Sequence, residues 1–156
     1  MTFFSVPFNV RNAMIKTLFL LLLCSAGGAC LQTGDPWTPA ELVEPADLAS
    51  MIRHPPANPP LLICVGPSGL IKGSVDAGPA HEEPNLARLR QLLGKEDRNR
   101  EVIIYCGCCP FSHCPNIRPA FSVLKELHFT HPRLLDLAHN IRVDWINPGY
   151  PVQEGK

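Results

Sequence analysis

Two short, unbroken apolar runs constrain this chain more than anything else in it. Residues 61–65 read LLICV, closed by Pro60 on one side and Gly66-Pro67 on the other. Residues 102–105 read VIIY and run straight into Cys106. Neither run alternates with polar residues, so neither suits a strand with one wet face. Both suit strands covered on both sides, as in parallel sheets. Between them, residues 84–93 carry Leu86, Leu89, Leu92 and Leu93 at helical spacing, with Gly94 as the expected C-cap. Strand, crossover helix and second covered strand together predict the α/β class, with a mainly parallel sheet and right-handed crossovers.

The other segments fit that frame. Residues 45–53 (PADLASMIR) predict a helix with Pro45 in its first turn and Leu48, Met51 and Ile52 on one face, ended by the proline tract 55–60. Residues 40–43 (AELV) read as a short edge strand, 66–80 as loop and 95–100 as a charged connector. Residues 107–115 form a compact loop. Asn116 is the expected cap of a helix reaching about His128, with Pro119 in its first turn and Ala120, Phe121, Leu124 and Leu127 facing inward. Residues 134–137 predict a third strand, and 139–147 a final helix closed by Asn147-Pro148-Gly149. The chain has 156 residues, 46% of them hydrophobic, which is room for one domain. That domain is expected over 37–152, with 153–156 as a tail.

Residues 14–30 (MIKTLFLLLLCSAGGAC) have the order of an export signal: Lys16, then a seven-residue apolar run, then small residues. The run is too short for a membrane span, which takes about 20 residues. Residues 1–29 are therefore read as a signal peptide, with Met14 a candidate start, and 30–36 as a tether. Cys30 is a candidate lipidation site, because small residues precede it. Plain cleavage after Ala29 fits equally well. The expected location is outside the cytoplasm: periplasmic, or membrane-anchored as a bacterial lipoprotein. The membrane enters only through that signal or lipid.

Fourteen basic residues balance fourteen acidic ones. This argues against a nucleic-acid binder that works by counterion release, and it excludes a long charged disordered tail. No Gly-rich phosphate loop and no Ser/His/Asp pattern is present.

The chemistry concentrates in residues 106–118 (CGCCPFSHCPNIR). In open parallel sheets the ligand site lies beyond the carboxyl ends of the strands, and Cys106 falls there, between a strand and a helix. A thiol is nucleophilic as thiolate, and loop N–H groups or a helix N-terminus stabilise that anion. The expected cradle is Gly107, Cys108, Cys109, Phe111, Ser112 and His113. Arg118, in the first turn of the following helix, is the candidate cation. His54, His81, His128, His131 and His139 are scattered and read as surface or satisfied polar residues. Trp145 and Tyr150 read as closing core contacts, and Asp136 and Asp144 as polar positions near element ends.

With this order of elements the chain resembles the rhodanese-like (sulfurtransferase) domain, from about Trp37 to Val152. The resemblance rests on LLICV with its Gly-rich loop, on VIIYC with its loop and helix, and on the ending DWINPGYPV at 144–152. It implies a five-stranded parallel sheet flanked by helices. It also implies a cysteine, by position Cys106, that accepts sulfane sulfur as a persulfide and hands it to a thiophilic acceptor. The partners so implied are a small sulfur donor and a thiol acceptor, with no cofactor. The loop here is enlarged relative to the family and holds three further cysteines. Where the family often has an Asp-x-Arg pair, Cys64 and Gly66 stand, and Gly73-Ser74-Val75 replaces the usual Gly-His-Ile.

Three uses of the extra cysteines stay open. Cys108 or Cys109 could resolve a persulfide on Cys106 by thiol–disulfide exchange. Cys109 and Cys114 could form a disulfide that pins the loop. A soft metal such as Cu(I) or Zn(II) could sit on two or more of Cys106, Cys108, Cys109, His113 and Cys114, with Cys108, Cys109, His113 and Cys114 the candidate set, although C-x-C-C-x4-C is not a standard zinc spacing. Cys64 is a further candidate to pair with Cys106 or Cys108, if both strand ends face one loop. The alternatives to sulfur transfer are thus a non-catalytic module that binds metal or protein, and an exported thiol–disulfide redox protein.

Overall fold

The structure, a computed structural model, describes residues 35–67 and 69–155. The signal, the Cys30 lipidation site and most of the tether lie outside the described residues. Five strands form one parallel sheet in the order β1-β5-β4-β2-β3. They are β1 (Leu42–Val43), β2 (Leu61–Cys64), β3 (Val75–Asp76), β4 (Val102–Tyr105) and β5 (Pro132–Leu135). Three helices alternate with them: α1 (Pro45–Arg53), α2 (Glu83–Gly94) and α3 (Ile117–Glu126). The chain is therefore α/β, a five-stranded parallel sheet flanked by helices.

β4 lies between β5 and β2, and all four of its residues are buried, as its unbroken apolar run requires. The sheet separates two cores. On one face, Ile63, Val65, Ile104 and Cys106 pack against Leu89 and Leu93 of α2 and Ile117, Phe121 and Leu124 of α3. On the other, Leu62, Cys64, Ile103 and Tyr105 pack against Leu48 and Ala49 of α1 and against Trp145. Successive strand residues point to opposite faces, so each run feeds both cores.

α1 has the bounds expected of it, and β4 those of VIIY. Other elements differ, and β1 is shorter than the strand expected over 40–43, since residues 39–41 form a 3-10 turn. β3 lies inside the segment read as loop. Two residues on a sheet edge after a Gly/Pro tract carry no period to read. Gly94 is the last residue of α2, not a left-handed cap. The helix ends on Lys95 in right-handed geometry, and the Arg98 guanidinium donates to the Leu93 carbonyl at 2.7 Å. β5 begins two residues earlier than residues 134–137. The final helix expected over 139–147 is a single π-helical turn, Arg142–Ile146. Polar side chains capture the amides that a longer helix would need: Asn140 accepts from Arg142 and Val143, and Asp144 from His139 and Asn140.

α3 stops at Glu126, and His128 takes a left-handed φ of 60°. Trp145 is fully buried and donates to the Pro151 carbonyl at 2.9 Å, with Tyr150 edge-on to its ring. Both are core contacts. Among the described residues no helix is long and apolar enough to cross a membrane.

Candidate functional site

β4 delivers Cys106 to the carboxyl end of the sheet, where the chain turns at Gly107. That residue has φ 87°, a left-handed value that favours glycine, and an added Cβ would lie 3.0 Å from Cβ of Ile141. The Gly107 carbonyl accepts from Ile141 N–H at 2.9 Å, and Phe111 N–H donates to Leu137 O at 3.1 Å. These two bonds fasten the cysteine loop to the segment after β5. From the β2 side, Gly66 presses against Cys106: a Cβ there would lie 2.4 Å from its carbonyl oxygen and 2.7 Å from its sulfur.

The loop folds back on itself, so that the sulfurs of Cys106, Cys108 and Cys114 all lie within 4.8 Å of one another. Cys106 and Cys108 are 3.1 Å apart, and Cys108 and Cys109 3.4 Å. None of the five described cysteines takes part in a disulfide. Cys106 is 4% exposed and Cys114 fully buried, while Cys108 is the exposed member of the trio.

Cys114 takes the helix-start amides that the sequence reading gave to Cys106. Its sulfur accepts the Cys106 thiol and also the backbone N–H groups of Asn116 and Ile117 at the start of α3. Those bonds outweigh burial and bring its pKa down to about 5. Cys106 shifts the other way. It gives its hydrogen bond to Cys114 and is buried, and both effects hold it in the thiol form, against bonds from the Cys108 amide and from Asn116. Burial and the neighbouring thiols push Cys109 up to about 12. The Cys106–Cys114 pair thus shares a proton, with the anion on the Cys114 side.

The expected amide cradle is only partly present around Cys106. The Cys108 N–H reaches its sulfur, but the amides of Phe111, His113 and Cys114 bond to Leu137, Pro110 and Phe111 carbonyls. Asn116 is not a side-chain cap: the helix entrance is served by the Cys114 sulfur instead. The buried Asn116 amide donates from Nδ2 to Cys106 Sγ at 3.3 Å, and its Oδ1 accepts from His81 N–H at 3.0 Å and lies 2.7 Å from His81 Nδ1. Arg118 is engaged elsewhere. Its guanidinium donates to Asp35 at 2.5 Å and lies over the Trp37 ring, which also packs on Phe111 and Phe121. The exposed His113 ring pairs with Ser112 Oγ at 2.9 Å, and neither it nor Cys109 belongs to the three-sulfur group.

Cys64 faces away from the cluster. It pairs in register with Tyr105, so Cys106 lies one residue further along and on the opposite face. The Cys64 thiol meets the Tyr105 hydroxyl instead. Burial, followed by Cys64, raises the pKa of that hydroxyl. A Cys64–Cys106 couple would have to cross the sheet.

No family model matches this chain, and no curated protein or solved structure is significantly similar to it.

Residue by residue, the sequence reading overlooked Asn116 as a partner of Cys106, His81 behind it, and Gly66 as a close-approach site. Gly66-Pro67 directly after a covered strand was the legible signal for the last. The first two depend on a loop path that spacing does not encode. Cysteine loop, thiol–thiolate pair and buried amide together make a preorganised thiol site at the carboxyl end of the sheet.

Proposed function

We propose that this is a rhodanese-like sulfur-handling protein in which Cys106 carries sulfane sulfur as a persulfide. The observation that carries the reading is the setting of Cys106. Its thiol, at the carboxyl end of the central strand, meets a proton-accepting sulfur (Cys114) and two N–H donors (Cys108 amide and Asn116 Nδ2). The five-stranded parallel sheet with helices on both faces supports the same family, as does the sequence resemblance.

The step runs as follows. The Cys106 proton passes to Cys114 as the Cys106 sulfur attacks, and the negative charge developing on that sulfur is stabilised by the Cys108 amide and Asn116. The target is the outer sulfur of a donor such as thiosulfate. The donor S–S bond breaks, sulfite leaves with the electron pair, and a Cys106 persulfide remains. A thiolate acceptor then attacks the outer sulfur, the persulfide bond breaks, and its electron pair returns to Cys106. No net oxidation occurs. Cys108, 3.1 Å away and exposed, is the neighbouring thiol that can instead displace the sulfur as hydrosulfide, leaving a Cys106–Cys108 disulfide. On this reading the protein works outside the cytoplasm, addressed by residues 14–30.

The test is cyanolysis. Reduced protein loaded with thiosulfate and freed of excess donor should release thiocyanate when cyanide is added, with a mass gain of one sulfur on Cys106 before cyanide. Absence of both, from thiosulfate and from a low-molecular-weight persulfide donor alike, would overturn the proposal.

A further inference from the structure

We infer that Cys106, Cys108 and Cys114 form a three-thiolate site for a soft monovalent cation of the Cu(I) class. A trigonal site with metal–sulfur bonds of about 2.3 Å needs sulfurs about 4 Å apart. The three sulfurs here lie within 4.8 Å of one another, with Cys106 and Cys108 at 3.1 Å. Opening that one pair by roughly 1 Å is the main adjustment a bound ion requires.

The donor set selects the ion. All three donors are sulfur, and among the described residues no histidine or carboxylate joins the group. Soft thiolate donors favour Cu(I), whereas structural zinc almost always takes four ligands. His113, the nitrogen donor in the same loop, pairs with Ser112 and stands outside the group.

The surroundings suit a resident ion. Asn116 Nδ2 and the Cys108 amide donate to Cys106, and the Asn116 and Ile117 amides donate to Cys114. Such outer bonds spread the negative charge of thiolate ligands and fix their direction. Gly107 and Phe111 tie the loop to Ile141 and Leu137, so two ligands lie on a braced segment and the third caps α3. Two of the sulfurs are buried, and the exposed Cys108 gives the ion its way in. This inference shares Cys106 with the sulfur reading but does not rest on it, because it needs all three thiols whereas that reading needs Cys106 as carrier.

The experiment is an anaerobic titration of the reduced full chain with Cu(I), against a coloured Cu(I) chelator. Sulfur coordination is read by X-ray absorption. One ion per chain with three sulfur neighbours is expected. Cys108→Ser, at an exposed position that should leave the fold intact, should weaken retention by more than about 100-fold, and Asn116→Ala by about tenfold. Cys64→Ser should leave it unchanged, and Cys109→Ser should still hold one ion with three sulfur neighbours. Undiminished retention in Cys108→Ser would overturn the site. So would a four-sulfur zinc complex that outlasts Cu(I) and is lost in Cys109→Ser. Cyanolysis of the metal-free protein reads the sulfur function separately, so failure of either proposal is visible without the other.

Discussion

Cys64 and Cys106 stand at the carboxyl ends of neighbouring parallel strands, one register step apart, yet they meet opposite surroundings. Cys64 faces the core built on α1 and Trp145, where its thiol meets the Tyr105 hydroxyl. Cys106 faces the core built on α2 and α3, where the chain has returned two more sulfurs, a buried amide and the start of a helix. The difference comes from strand parity. Side chains alternate faces with period two, so a single step decides whether a cysteine ends among hydrocarbon and a phenol or beside a loop that can hold an anion. Sharing a sheet end does not suffice to share a site.

The largest expected effect breaks the comparison into its two halves. Cys106→Ser should lower thiocyanate release from thiosulfate-loaded protein by more than about 100-fold, since the atom proposed to carry the sulfur is gone. Cys64→Ser should leave release within about twofold of the parent, although a hydroxyl in that core costs some stability. Equal losses in the two variants would mean that both faces feed one site.

A second contrast compares two glycines. In Gly66→Ala the new Cβ would meet the Cys106 carbonyl at 2.4 Å, and backbone on both sides cannot yield as a flexible side chain would. Overpacking of this kind costs about 1 to 3 kcal/mol, and here it also displaces Cys106. Thermal unfolding should move down and sulfur release should fall with it. Gly94→Ala should raise stability by up to about 1 kcal/mol, because Gly94 sits in a helix with nothing near its missing Cβ.

The same contrast explains how much the sequence disclosed. The runs LLICV and VIIY announced covered parallel strands because continuous hydrophobicity is itself the signature of burial on both faces. Leu48, Leu89 and Leu93 announced the helix faces by spacing. Cys106 was legible as a strand-end cysteine. Its neighbours were not, because residues 107–115 follow no period. The return of Cys114 depends on Gly107's left-handed turn and on bonds to Ile141 and Leu137, made only once β5 is in place. Asn116 read as a cap because asparagine before an apolar helix usually is one. Here a buried sulfur takes the helix amides, and the asparagine serves the cysteine instead. Arg118 read as a charge for the site, but Asp35 and Trp37 hold it.

The finest contrast sets Asn116→Ala against Tyr105→Phe. Each removes a polar group that organises one face. Asn116 donates to Cys106 and accepts from His81, and its loss leaves the buried Cys106 sulfur without that donor and the His81 N–H without its acceptor, at about 1 to 3 kcal/mol. The Tyr105 hydroxyl accepts from Ile71 N–H at 3.2 Å and lies 2.9 Å from Ser74 Oγ. Its loss should cost about 1 to 2 kcal/mol on the same grounds. Denaturant unfolding should therefore rank the two variants close together. Sulfur release should separate them. Asn116→Ala should slow it, because the Cys106 thiolate loses a donor that a neutral thiol hardly needs. Tyr105→Phe should leave it near the parent rate. If Tyr105→Phe slowed release as much as Asn116→Ala at equal stability, the two faces would be coupled through β4, and parity would not be what separates Cys106, the proposed sulfur carrier, from Cys64.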